Sequence, residues 1–276
     1  TVMMVAVAEA IASSGSILWV AHRRELIDQA AAKLREAGRS PTILCGGRRA
    51  QGDGKTFVAS VQTLAYRDIP KTDLTVTDEL HHATSKSYER IIAASSAITG
   101  CTATPWRLDG KGLGTASFTD IVSAASYADL MRDGYLVRPR YFTVPPPDLS
   151  AIHTQRGDYN ASEIALVMDK SHLVGDIVEH YQRLGHGHRA VAFCASILHA
   201  EHVAEALRLA GIPAETLSGA TKPKDRDAIL QRFRYGQTRV VTNCDVISEG
   251  FDLPEISVVI LARPTQSLSR YHQMIG

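Results

Sequence analysis

Leu74-Thr75-Val76-Thr77-Asp78-Glu79-Leu80-His81-His82 decides how this chain is read, because a β-branched run of buried type ends there in two adjacent carboxylates. A carboxylate at the end of a central strand is costly to bury unless it meets a cation, so Asp78 beside Glu79 calls for a metal or a basic partner. A second short apolar strand, residues 97–101, runs into Thr102-Ala103-Thr104-Pro105-Trp106-Arg107. Two neighbouring strand ends then present polar groups to one crevice. Outward from this pair, helix-like and strand-like segments alternate, which implies parallel strands with helical crossovers. Strands are predicted at residues 17–21, 42–45 and 56–59, and helices at 2–11 and 24–37. The second helix places Leu26, Ile27, Ala30, Ala31 and Leu34 on one face and stops at Gly38. A short helix at 127–132 is expected to close this first unit.

Pro145-Pro146-Pro147 and the polar residues up to Asp158 read as a linker, since tandem prolines remove ladder donors and favour extended backbone. The order then restarts. A helix at 171–184 precedes a strand at 190–194. Ser196 can cap the next helix, 197–210, which Gly211 and Pro213 terminate. A strand at 214–217, a helix at 223–235 and strands at 239–242 and 258–261 complete a second α/β unit. With 276 residues, 45% of them hydrophobic, both units have enough apolar surface for a core. The formal charge of +1 is no general basic signature, so any nucleic-acid contact must come from local groups at strand ends. Cys45, Cys101, Cys194 and Cys244 lie far apart and read as reduced core residues of a cytoplasmic protein, not as a disulfide frame or zinc site. No apolar stretch approaches the ~18 residues of a membrane span, and no signal pattern opens the chain, so no membrane partner is expected.

The run from Asp78 to His82 with Thr102-Ala103-Thr104 resembles motifs II and III of superfamily 2 helicases of the DExH type. The resemblance continues through Ala21-His22-Arg23-Arg24-Glu25-Leu26, Ser60-Val61-Gln62-Thr63-Leu64, Glu249-Gly250-Phe251-Asp252-Leu253-Pro254 and Tyr271-His272-Gln273-Met274-Ile275-Gly276. It implies an α/β fold of two tandem RecA-like P-loop NTPase domains with mainly parallel sheets, both truncated at the chain ends. The first lobe would span residues 1–138, a connecting strand and linker 139–159, and the second lobe 160–276. ATP and Mg²⁺ would bind between the lobes.

The family's roles transfer onto matching positions. Asp78 would hold Mg²⁺ and Glu79 would orient and deprotonate the attacking water. His81 would link the γ-phosphate to Thr102-Ala103-Thr104, the segment that couples hydrolysis to movement, and Gln273 would join the catalytic set from motif VI. Gly250 and Asp252 match a motif whose glycine lets backbone approach the nucleotide and whose aspartate faces the ribose. His22, Arg23 and Arg24, then Gln62 and Thr63, stand at strand ends where a nucleic-acid backbone would pass. Phe193, Ser196, Ser218 and Thr242 are the corresponding positions of the second lobe. DNA is favoured over RNA, because RNA-specific DEAD-box proteins would carry aspartate at position 81.

Gly52-Asp53-Gly54-Lys55-Thr56 imitates the end of a phosphate-binding loop, but its first glycine would fall at Arg49 and the next segment is strand-like. The genuine loop is expected to end at Thr1. Its lysine, and the arginines that follow motif VI, would then lie outside this chain, which predicts poor ATP hydrolysis by these 276 residues alone. His180, His186, His188, His199 and His202 read as solvated surface residues rather than a metal site. A double-strand DNA translocase that does not unwind, and a non-catalytic nucleic-acid-binding module, remain the rival functions.

Overall fold

Strand β1 (Ile17–Ala21) is buried along its whole length, as a strand covered on both faces must be. The computed structural model describes residues 2–12, 14–102, 118–155, 157–185, 187–247 and 253–275. Around β1 stand β2 (Thr42–Cys45), β3 (Arg48–Ala50), β4 (Thr56–Ser60), β5 (Leu74–Thr77) and β6 (Ile98–Gly100), in the order β3-β2-β4-β1-β5-β6. Helices α1 (Val2–Ile11) and α2 (Arg24–Glu36) cover one face, and α3 (Val61–Leu64) and α4 (Lys86–Ala94) the other. The two-residue period of a strand sorts the core. Ile17, Trp19 and Ala21 pack with Met4, Ala8, Ile27 and Leu34, while Leu18 and Val20 meet Leu64, Tyr88 and Ile91. Full burial of a large apolar side chain stabilises by roughly 1.5–3 kcal/mol, so this central strand is a principal anchor of the unit.

The predicted helices and parallel strands of this half are present, with β6 shorter than expected. Strand β3 was not foreseen, because Arg48-Arg49-Ala50 shows no apolar alternation. It forms because Gly46 and Gly47 adopt φ of +50° and +86°, the left-handed pair that closes a two-residue hairpin and sets Cys45 opposite Arg48.

Residues 52–56 lead into β4, not into a helix, so the phosphate-loop imitation is a turn. Asp53 organises it, accepting from the backbone of Lys55 at 2.8 Å, of Thr56 at 2.7 Å and of Ser40 at 3.2 Å, with Gly54 at φ +74°. Burial opposes ionisation of Asp53, but these N–H donors and the Thr56 hydroxyl outweigh it and hold the carboxyl below the usual range. Asp53→Ala should lower stability by about 1 kcal/mol in urea denaturation. The depressed pKa fixes the sign: the wild-type advantage is complete above the ordinary aspartate range and disappears as the pH falls through the lowered value.

The second sheet, β10-β11-β9-β12, is parallel throughout. It contains β9 (Arg189–Cys194), β10 (Ala214–Leu217), β11 (Val240–Asn243) and β12 (Ile256–Ala262), flanked by α7 (Ser171–His180), α8 (Ile197–Leu209), α9 (Pro223–Arg234) and α10 (Leu268–Ile275). Ala190, Ala192 and Cys194 face α7 and α8, and Val191 and Phe193 face α9 and α10.

Three expectations are corrected. The stretch read as linker holds the hairpin β7 (Thr154–Gln155) and β8 (Asp158–Tyr159), followed by α6 (Ala161–Met168). Buried Asp158 accepts from Gln266 N at 2.9 Å and Thr265 Oγ1 at 3.0 Å, which fastens the hairpin to the approach of α10. Helix α5 (Tyr127–Arg132) does not close the first unit: none of its residues is buried, and a Ser126–Asp129 capping box holds it locally. His199 is fully buried rather than solvated, its Nδ1 accepting from Ala195 N at 3.2 Å, and burial pushes its pKa down. His202 Nδ1 lies 2.8 Å from Asp169 Oδ1, a hydrogen-bonded contact at the surface.

Candidate nucleotide and nucleic-acid site

β5 and β6 pair in parallel and end side by side, with Thr77 opposite Gly100. Beyond them the chain turns so that Leu80 N donates to Cys101 O at 2.8 Å and Cys101 N to Thr77 O at 3.2 Å. The two strand ends are thereby joined at the point where their polar groups emerge. Asp78 is buried there, and its Oδ2 has no hydrogen-bond partner among the described residues. Its Oδ1 accepts from Glu79 N at 3.1 Å and from Cys101 Sγ at 3.5 Å. Burial first, then the charge of Asp78, raises the Cys101 thiol to about 12, so it stays protonated and donates. A buried carboxylate oxygen lacking a partner is the fit a divalent cation would complete. Among the described residues no group of three or more His, Cys, Asp or Glu is placed to hold a metal ion by itself.

Glu79 sits at φ +51°, a left-handed conformation that is costly for a residue with a Cβ. The turn carries its carboxylate to 3.3 Å from His81 Nδ1. The same Nδ1 lies 2.9 Å from Thr102 Oγ1, and Gln273 Nε2, on α10, lies 3.4 Å from His81 Nε2. His81 thus touches the second carboxylate, the end of β6 and the other α/β unit at once. Among the described residues, Arg226 Nη1 to Glu25 Oε1 at 2.9 Å and Arg23 Nη1 to Val246 O at 3.4 Å also join the units.

The residues singled out as strand contacts divide. His22, Arg24, Gln62 and Thr63 line a groove of about 460 Å³ at the ends of β1, β2 and β4. Gln62 Nε2 donates to His22 O at 3.1 Å, and the His22 ring stands 4.3 Å from that of His82, whose ring is 4.2 Å from His81. The groove is therefore connected by packed rings to the carboxylates. Arg23 is directed at Val246 instead. In the second unit Ser196 caps α8, accepting from His199 N at 3.0 Å. Ser218 is buried and accepts from Ala220 N at 3.3 Å. Thr242 is fully buried, its hydroxyl bonded to Ala200 O at 2.9 Å and to Thr216, and Phe193 belongs to the apolar core. Thr1, Ala103, Thr104, Gly250 and Asp252 lie outside the described residues.

Sequence reasoning missed Cys101 as a partner of Asp78, and it missed Asp158. Both act across long separations in the chain, which local periodicity does not record. None of the described helices is long and apolar enough to cross a membrane.

Two family models match the chain: "Type III restriction enzyme, res subunit" over residues 1–107 and "Helicase conserved C-terminal domain" over residues 169–276. A 51.5 kDa protein of a Lactococcus phage is 30% identical over 94% of this chain and 55% of its own length. A putative mitochondrial ATP-dependent helicase, irc3, of Schizosaccharomyces pombe is 30% identical over 96% of this chain and 46% of its own length. The chain spans about half the length of these relatives. Among solved structures, Saccharomyces cerevisiae Dbp5 bound to RNA and ADP BeF3 superimposes with a TM-score of 0.55 over 99% of this chain and 71% of that one, at 16% identity, which establishes likeness of fold.

Proposed function

Because this chain belongs to the superfamily 2 helicases, we propose that the protein containing it hydrolyses ATP between its two lobes and uses the cycle to move along nucleic acid and part its strands. The observation that carries this reading is His81, in contact with Glu79, with Thr102 and with Gln273 of the opposite lobe. A histidine so placed responds to the nucleotide and to lobe closure together.

Asp78 would hold Mg²⁺, which neutralises phosphate charge. Glu79 takes a proton from the attacking water. Gln273 orients the His81 ring from the second lobe, so the full constellation exists only when the lobes are closed, the state that Arg226–Glu25 favours. His22, Arg24, Gln62 and Thr63 bind the strand through its phosphates, irrespective of sequence. DNA as the first substrate is supported by histidine rather than aspartate at position 81. The four cysteines are free thiols, which suits a reducing compartment.

The test is ATP hydrolysis by the whole protein, with and without single-stranded DNA or RNA. Strand-stimulated turnover is the expected result. Strand binding without turnover would replace the motor with a binding module. Strand displacement assayed beside triplex displacement separates unwinding from translocation along a duplex.

A further inference from the structure

The groove of the first lobe contains a residue for which the phosphate contacts give no role. Tyr66 lines it and is 90% exposed. Exposing a tyrosine ring this fully leaves its apolar surface in water with nothing gained by the fold. The backbone beneath it is nonetheless firmly held. Tyr66 N donates to Thr63 O at 3.2 Å. Arg90, reaching up from α4, donates to Leu64 O at 3.4 Å, to Ala65 O at 3.0 Å and to Arg67 O at 3.2 Å. A guanidinium therefore fixes the carbonyls on both sides of an aromatic ring that itself faces solvent.

The surroundings match one kind of ligand. Arg24 and Arg67 line the same groove, no carboxylate among the described residues does, and the Gly46–Gly47 turn brings bare backbone to its wall. Cations and backbone suit phosphates, and a rigid aromatic face suits an unpaired base. Tyr235 is 78% exposed as well, but it follows α9 and is not part of this groove. A tyrosine also loses little conformational freedom on stacking, having only two side-chain torsions to fix.

We propose that Tyr66 is a stacking platform for one base of a single strand whose phosphates lie on Arg24 and Arg67. The inference rests on the nucleic-acid reading above and adds to it a contact that needs the base itself. Stacking tolerates every base, so it grips the strand without selecting a sequence. It also requires an unpaired base, so it favours single strand over duplex.

The experiment uses this chain, a fluorescent oligothymidylate and a fully abasic strand of the same length and charge. Wild type should bind the oligothymidylate roughly 5- to 100-fold more tightly than the abasic strand. Tyr66→Ala should erase that preference while leaving abasic binding unchanged, and Tyr66→Phe should retain it. Thermal melts of both variants should match wild type, because the ring is exposed. Equal wild-type affinity for the two strands, or a preference that survives Tyr66→Ala, overturns the stacking role and leaves the nucleic-acid reading standing. Failure of wild type to bind either strand overturns both.

Discussion

Glu79→Gln in the whole protein should reduce strand-stimulated ATP turnover by about 10²- to 10⁴-fold, the range that a positioned general base supplies. Glutamine keeps the size of the side chain and a polar oxygen beside His81 Nδ1, which lies 3.3 Å from the glutamate carboxylate in the wild type, but it cannot take a proton from water. Nucleotide affinity and the melting temperature should stay unchanged. The left-handed backbone at residue 79 costs glutamine as much as glutamate. Turnover is read in steady state, with binding measured separately by a fluorescent nucleotide. Undiminished hydrolysis would remove Glu79 from the base role and with it the argument built on the His81 contacts. Loss of nucleotide binding as well would instead assign the carboxylate to holding the substrate.

The turn that serves this chemistry was visible in the sequence, and the physical reason is that it lies where two local signals coincide. A β-branched run stopped by charged residues marks a strand end, and Asp78-Glu79 is such a stop. The same reasoning located α2 from the face shared by Leu26, Ile27, Ala30, Ala31 and Leu34, every one of them buried. It worked less well where the signal is not periodic. β3 depends on the left-handed Gly46–Gly47 pair rather than on its own residues, and α6 was not foreseen because Asn160, which caps it, directly follows the polar stretch that resembled a linker. Side-chain direction was hardest to read. Thr242 and Ser218 each stand at a strand end, yet both face inward, since a hydroxyl that finds a partner such as Ala200 O is as well satisfied inside as on a phosphate. Contacts such as Gln273 with His81, separated by most of the chain, depend on how the two units meet and leave no local trace.

Gly100→Ala should destabilise the chain by about 1–3 kcal/mol or more, as overpacking in a tight interior does, and should disable the site at the same time. A Cβ on Gly100 would stand 2.3 Å from Thr77 Oγ1, 2.6 Å from Thr77 O and 2.8 Å from Leu80 Cδ1. The hydroxyl and the leucine can rotate, but the Thr77 carbonyl is backbone and accepts from Cys101 N at 3.2 Å. Relief must come from separating β6 from β5. That movement draws Cys101 Sγ away from Asp78 and Thr102 away from His81, contacts now 3.5 Å and 2.9 Å long. Gly175→Ala provides the opposite sign within the same fold, because Gly175 lies in α7 with nothing within 4 Å of an added Cβ. That substitution should stabilise by up to about 1 kcal/mol by restricting the unfolded chain and favouring helix. Urea denaturation of the two variants decides the matter. If both shift upward, the approach of β6 to β5 is looser than these distances require, and the alignment of Thr102 with His81 must be set by the loop beyond the strand.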